Sequence, residues 1–211
     1  MKKLCLVLAI CSLLCLSGCT SNQSEVGSAA AEKPVIYLYP EEERSVSVTL
    51  DYDGEIISSY PDMNDGTWTV TASPDGVLTD ADGRQYPYLF WEGSSNATYD
   101  FRRGFVVAGE DTAEFLEEKL AYLGLSDTEA ADFITYWLPK MQDNEYNLIA
   151  FQGRAYTDVS RLDVDPAPDT VIRVFMAWKP VDGDMGLPEQ GLPKGKRSGF
   201  TVVEWGGVEV E

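Results

Sequence analysis

The sequence contains no histidine and only four cysteines, all of which fall within its first nineteen residues. Without imidazole, the chain cannot build a Ser-His-Asp or Cys-His catalytic site, a histidine-ligated zinc site or a histidine proton relay. The absence of thiols after residue 19 likewise excludes disulfides, thiolate metal sites and a cysteine nucleophile from the rest of the chain. Any catalysis would therefore depend on carboxylates, tyrosine, lysine, serine or an oxygen-bound cation.

Basic residues are also scarce. The 16 lysines and arginines face 35 aspartates and glutamates, which gives a formal net charge of −19 at pH 7. Such a surface repels nucleic acid, so we expect no nucleic-acid partner. After the N-terminus there is no apolar run long enough to span a bilayer, which takes roughly 20 residues.

The N-terminus has the pattern of a bacterial secretion signal, predicted to occupy residues 1–18. Lys2 and Lys3 precede the apolar run Leu4–Leu16, which is too short for a permanent membrane span. The run leads into Leu16-Ser17-Gly18-Cys19, which resembles the lipobox of bacterial lipoproteins. The resemblance implies cleavage before Cys19, lipidation of its thiol, and acylation of the new amino group by a fatty acid such as palmitate. Because two or three acyl chains anchor a protein stably, we expect a lipoprotein on the extracytoplasmic side of the cell membrane.

The mature chain is predicted to have two parts. Residues 19–32 are rich in serine and alanine and lack hydrophobic periodicity, which is typical of a flexible tether. Residues 33–211 have the length of a single globular domain with a sizeable core.

Alternation of apolar and polar residues predicts β structure through most of this domain. The pattern is clear in Val46–Tyr52, after which Asp53-Gly54 supplies a hairpin turn. Further strands are expected at 35–39, 55–60, 67–72, 77–78, 86–91, 104–108, 146–151, 171–178 and 200–205.

Between residues 111 and 139 the hydrophobic period becomes helical. Asp111 is placed to begin a first helix and Gly124 to end it. Ser126 and Glu129 form a capping box for a second helix, which Pro139 is expected to end. We therefore predict an α+β fold, a mainly antiparallel sheet or sandwich with an inserted αα-hairpin.

Three segments resemble a family of bacterial secreted proteins and lipoproteins. They are Lys33-Pro34-Val35-Ile36-Tyr37-Leu38-Tyr39-Pro40, Tyr88-Leu89-Phe90-Trp91-Glu92-Gly93 and Gly199-Phe200-Thr201-Val202-Val203-Glu204-Trp205-Gly206-Gly207. The family opens on the first string. The resemblance implies a domain boundary near Lys33 and carries over no catalytic residue.

Two carboxylates are candidates for catalysis. Glu92 has the strand parity of Tyr88 and Phe90, and Glu204 has that of Phe200 and Val202. Were both to point into one interior, burial would raise the pKa of each, and such a pair could hydrolyse a glycosidic bond. The alternative is that each binds backbone amides or an arginine, with Arg102, Arg103 and Arg173 as the possible partners.

Aromatic and basic side chains are candidates for ligand binding. Tyr88, Trp91 and Trp205 could stack on sugar rings. Residues 179–199 form a long loop rich in proline and glycine, and loops of this length are often functional. Its cations Lys194, Lys196 and Arg197 could contact an anionic cell-wall polymer or a carboxylate-bearing ligand. The alternative is a solvated loop whose positive charges balance the acidic surface.

Acidic side chains also raise the question of calcium. Asp80 and Asp82 stand close together, but Gly83 comes too early for an EF-hand loop and the distal glutamate is missing. A turn is the favoured interpretation there, and Asp163, Asp165 and Asp169 are interpreted as part of an extended loop. We expect no cofactor, with Ca²⁺ as the alternative.

No catalytic constellation is evident, so the sequence favours a binding or interaction module over an enzyme. The expected ligand is a protein or glycan of the cell envelope. A cell-envelope glycan hydrolase using Glu92 and Glu204 is the alternative, and the sequence leaves the oligomeric state open.

Overall fold

The computed structural model describes residues 29–183 and 185–210. The strands are β1 (Ala29–Tyr39), β2 (Arg44–Tyr52), β3 (Glu55–Tyr60), β4 (Thr67–Ala72), β5 (Leu78–Thr79), β6 (Gln85–Tyr86), β7 (Leu89–Ser95), β8 (Phe105–Ala108), β9 (Tyr146–Gln152), β10 (Ser160–Asp165), β11 (Thr170–Val181) and β12 (Thr201–Glu209). The helices are α1 (Thr112–Leu123), α2 (Asp127–Met141) and the single turn α3 (Arg154–Thr157). A 3-10 turn, Gly109–Asp111, leads into α1.

The described residues form three layers. A seven-stranded sheet has the order β3-β7-β1-β12-β11-β9-β8, and a five-stranded sheet has the order β10-β2-β4-β5-β6. One core fills the space between the two sheets, and a second lies between the larger sheet and the helical hairpin. The α+β class predicted from the sequence is confirmed.

Both faces of strand β1 are buried, which explains its uninterrupted apolar run. Successive side chains of a strand point to opposite faces. Accordingly, Ile36 and Leu38 belong to the core between the sheets, whereas Val35 and Tyr37 belong to the core under the helices. Unlike a half-buried strand, a strand covered on both sides needs no polar alternation.

The long loop predicted after residue 179 has a topological cause. Strands β11 and β12 are neighbours in the sheet and run parallel. A parallel pair requires the chain to travel back along the whole strand before the next one begins. Since β11 has 12 residues, that distance is about 36 Å at roughly 3.3 Å per residue. We call residues 182–200, which cover it, the return loop.

The helical hairpin has the predicted caps. Gly124 ends α1 in the left-handed conformation, with φ 98°, and Ser126 and Glu129 form the capping box of α2. The prediction that Pro139 ends the second helix is wrong, because α2 continues to Met141. A proline removes its own backbone donor and crowds the carbonyl four residues earlier, but the residues after it keep their donors. Near the C-terminus the helix therefore still closes with the bond from the Gln142 amide to the Leu138 carbonyl.

Other boundaries also differ from those predicted. The single strand expected at 86–91 is divided between β6 and β7, which belong to different sheets. Strand β1 begins at Ala29, where it pairs with Ser95, so residues 29–32 belong to the sheet and not to the tether. Strand β10 was interpreted as loop because only Leu162 and Val164 give it an apolar face. The predicted signal, Cys19 and residues 20–28 lie outside the described residues. Within the described part of the chain, no helix has the length and apolar character needed to cross a membrane.

Candidate functional site

Glu204 is fully buried between the two sheets, and its charge is paired. The Arg173 Nε donates to Glu204 Oε2 at 2.5 Å, and the Trp91 Nε1 donates to Glu204 Oε1 at 3.4 Å. Arg173 also donates from Nη2 to the Ser160 hydroxyl at 3.0 Å. Of the two interpretations of Glu204, the structure therefore shows the one in which it pairs with an arginine.

The ring of Tyr156 completes this buried network. Its centroid lies 4.9 Å from Arg173 Cζ and 4.0 Å from the stacked ring of Phe175. Burial and the nearby Glu204 carboxylate raise the pKa of Tyr156 well above its ordinary value. The network lies among the core side chains between the sheets, and the bond from Arg173 to Ser160 links one sheet to the other.

Glu92 does not share a cleft with Glu204. Trp91 faces the interior between the sheets, where it reaches Glu204. Since Glu92 is the next residue of the same strand, its side chain points to the opposite face of the sheet. Each glutamate does have the strand parity of its apolar neighbours, as predicted. However, this sheet has a core on each side, so the two glutamates point toward different cores.

Two of the three predicted stacking aromatics are core residues. Trp91 and Trp205 are both 0 % exposed, so neither offers a ring to a ligand at the surface. Trp205 lies under the helices, 5.3 Å from the ring of Phe133, and donates to the Tyr37 hydroxyl at 3.3 Å. Tyr88 is half-buried and contacts Tyr37 edge to face at 5.5 Å.

The basic cluster of the return loop is divided between anchoring and exposure. Arg197 donates from Nε to the Gly124 carbonyl at 2.8 Å and pairs through Nη2 with the buried carboxylate of Glu129. Gly195 approaches the end of α1 so closely that a Cβ there would overlap the Leu123 carbonyl. We call the contact of Arg197 with Glu129 the latch, because it fixes the return loop to the start of α2. Lys194 and Lys196 remain exposed.

The Asp80 carboxylate organises a turn, as the sequence favoured. Its Oδ1 accepts the backbone amides of Asp82 and Arg84, both at 2.9 Å, and its Oδ2 accepts the Tyr86 hydroxyl at 2.7 Å. These bonds, the tyrosine hydroxyl first, lower the pKa of Asp80. Among the described residues, no group of three acidic side chains is arranged to hold a metal ion.

The concave site with the most unusual chemistry was not predicted. A cleft of about 770 Å³ opens where the end of β9, the start of α3, the loop before β8 and the return loop meet. Its polar lining consists of Asp100, Arg102, Arg103, Gln152, Arg154 and Gln190. We call it the arginine cleft.

Two glutamine amides hold the walls of this cleft. Gln152 accepts from the Asp100 amide at 3.1 Å and donates to the Asp100 carbonyl at 3.2 Å. Gln190 does the same with Phe151, at 2.9 Å and 2.6 Å. Each side chain thus pairs with the N–H and the C=O of one residue, as a neighbouring strand would, and together they fix both loops to the edge of β9.

The cleft is cationic within an acidic chain. Arg102 binds the Asp100 carboxylate with Nε and Nη2, at 2.9 Å and 2.5 Å, and this pairing lowers the pKa of Asp100 to about 2. Arg103 donates only to the Glu189 carbonyl, at 3.5 Å, and the Arg154 side chain has no partner among the described residues. Among the residues that the structure describes, no carboxylate is paired with either of these two guanidinium groups.

Sequence reasoning missed this site because its residues are distant along the chain. The adjacent pair Arg102 and Arg103 was a visible local feature, given how few basic residues there are. Nothing in the pattern of residues, however, places Arg154 in the same cleft, because the lining of the cleft depends on how the loops pack around the edge of β9.

Comparison with known proteins finds one relevant similarity. An uncharacterised protein encoded in the bglA 3′ region of Butyrivibrio fibrisolvens is 48 % identical over 80 residues, which cover 37 % of this chain and 81 % of that protein. No protein-family model matches the chain. No solved structure matches it either.

Proposed function

The chain belongs to the same family as the Butyrivibrio fibrisolvens protein, and we propose that it is a membrane-anchored extracytoplasmic lipoprotein that binds an anionic component of the cell envelope in the arginine cleft. The ligand that this proposal names is a glycan or protein segment bearing carboxylate groups. No activity is known from the name of that relative, so the proposal rests on this chain's own residues.

The anchoring part of the proposal is supported by the sequence alone. The short apolar run after Lys2 and Lys3 ends in the string that resembles a lipobox, and Cys19 is the residue that would carry the lipid. Only residues 20–28 separate it from strand β1, so the folded domain would lie close to the membrane.

The observation that carries the binding proposal is the pair of uncompensated guanidinium groups, Arg103 and Arg154, in a concave site. In a chain with a net charge of −19, we expect arginines to form ion pairs with nearby carboxylates, as Arg102 and Arg173 do. Guanidinium groups bind carboxylates through paired, charge-assisted hydrogen bonds. An anionic ligand would supply the carboxylate partners that these two arginines lack within the described residues.

Geometry favours this function over glycan hydrolysis. Hydrolysis of a glycosidic bond needs two carboxyl groups that face one substrate from about 5–10 Å apart. Glu92 and Glu204 point to opposite faces of the sheet, and Glu204 is enclosed with Arg173.

Calorimetric titration of the full-length protein with an acidic muropeptide and with a glutamate-rich peptide tests the proposal. In the Arg103→Ala/Arg154→Ala variant, we expect affinity for the bound probe to fall at least about tenfold per guanidinium, since a charged hydrogen bond contributes roughly 1.5–3 kcal/mol. Binding should also weaken with salt, because the screening length falls from about 10 Å at 0.1 M to about 3 Å at 1 M.

The matched control is Lys194→Ala/Lys196→Ala, which removes the same charge from the return loop outside the cleft. It should bind as the unmodified protein does. If the control loses affinity and the cleft variant does not, the exposed lysines form the site and the proposal is wrong. It is equally contradicted if neither acidic probe binds.

A further inference from the structure

A second concave site, which shares no residue with the arginine cleft, lies at the edge of the five-stranded sheet. This groove of about 470 Å³ lies between the chain after β3, the strand β4 and the turn before β6. Its lining includes Tyr60, Asp62, Asn64, Asp82, Arg84 and Tyr86. We call it the tyrosine groove.

The groove presents an aromatic ring to solvent. Tyr60 is 55 % exposed, in contrast to the five buried tryptophans. Its ring meets that of Tyr86 edge to face, with centroids 5.4 Å apart and planes at 78°. Tyr86 is itself fixed by its hydroxyl, which donates to Asp80. The exposed ring is therefore supported from behind by a fixed residue.

The polar groups around this ring include three with unused hydrogen-bonding capacity. Within the part of the chain that the structure describes, no partner is bound to the side chains of Asp62, Asn64 or Asp82. Arg84 lies beside both tyrosines, whose phenol groups, that of Tyr86 first, raise its pKa. Carboxylate acceptors and amide or guanidinium donors thus stand together around one aromatic face.

We propose that the tyrosine groove binds a neutral sugar ring, packed on the face of Tyr60 and hydrogen-bonded by Asp62, Asn64, Asp82 and Arg84. Sugar hydroxyls both donate and accept, which matches a lining that contains both acceptors and donors. The C–H face of a pyranose supplies apolar surface for the phenol ring.

Charge and hydrogen-bonding capacity together argue against the other ligand classes. With Asp80, Asp82 and Asp62 against Arg84 alone, the groove is negative and repels anions. The same carboxylates would attract an organic cation, but such a cation offers no acceptor to the donors of Asn64 and Arg84. A neutral saccharide uses both kinds of group without either conflict.

The test is calorimetric titration of the full-length protein with two neutral probes, cellotetraose and triacetylchitotriose. At least one should bind, and Tyr60→Ala should weaken that binding at least about tenfold, as expected when an aromatic platform is removed. Tyr60→Phe keeps the ring and should bind within about threefold of the unmodified protein. Tyr122→Ala removes another half-exposed tyrosine, on α1, and should have no effect.

Several results would overturn the inference. They are the absence of binding by either neutral probe, equal binding by Tyr60→Ala, or binding of tetramethylammonium alone. The Arg103→Ala/Arg154→Ala variant should bind the neutral probe normally, since those arginines line a different cavity. The groove and the arginine cleft can therefore fail or succeed independently.

Discussion

Replacement of Arg173 by methionine offers the sharpest test of how the two sheets are held together. The change removes the cation that pairs with Glu204, whose side chain is 0 % exposed, and leaves a carboxylate without a counter-charge in the core. Loss of one partner from a buried ion pair costs about 3–5 kcal/mol. For a domain whose unfolding free energy is of the order of 5–15 kcal/mol, that is a large fraction.

Tryptophan fluorescence during urea unfolding provides the measurement. All five tryptophans are at most 2 % exposed, so unfolding moves every indole into water.

The double variant Arg173→Met/Glu204→Leu is the control for packing. It removes both charges while keeping similar side-chain volume, and such replacements are often neutral or stabilising. It should recover most of the stability lost in Arg173→Met. A single variant within about 1 kcal/mol of the unmodified protein would refute the reasoning, because the buried charge would then not depend on Arg173.

Two further predictions concern the helical hairpin. Ser126→Ala removes the side-chain acceptor of the capping box, so the free energy of unfolding in urea should fall by about 1 kcal/mol. Thr128→Ala, an exposed change two residues further along in the first turn, should shift it by less than about 0.5 kcal/mol. Equal effects of the two variants would contradict the assigned cap. Arg197→Ala breaks the latch, so amide hydrogen exchange should accelerate in residues 185–199, and Lys194→Ala should leave it unchanged. Unaltered exchange in Arg197→Ala would show that other contacts hold the return loop.

Local chemistry determined much of the fold. Hydrophobic periodicity located most of the strands, and the caps of the helical hairpin followed from Gly124, Ser126 and Glu129, because each acts on backbone groups within a few residues. Periodicity failed at β10, where two apolar side chains were too few to distinguish a strand from a loop. Periodicity also could not tell which of the two cores, the one between the sheets or the one under the helices, each buried side chain would enter.

The sequence by itself determined four properties of the chain. They are the absence of histidine, the absence of cysteine after residue 19, the acidic net charge and the pattern around Cys19. The tertiary structure decided which residues share a site. It placed Glu92 and Glu204 on opposite faces and buried Trp91 and Trp205. It also brought Arg103 and Arg154, about fifty positions apart in the sequence, into the lining of one cleft. The physical reason is the same in each case. Parity and composition are local properties, whereas the order of strands in a sheet and the course of a parallel crossover depend on contacts between distant segments.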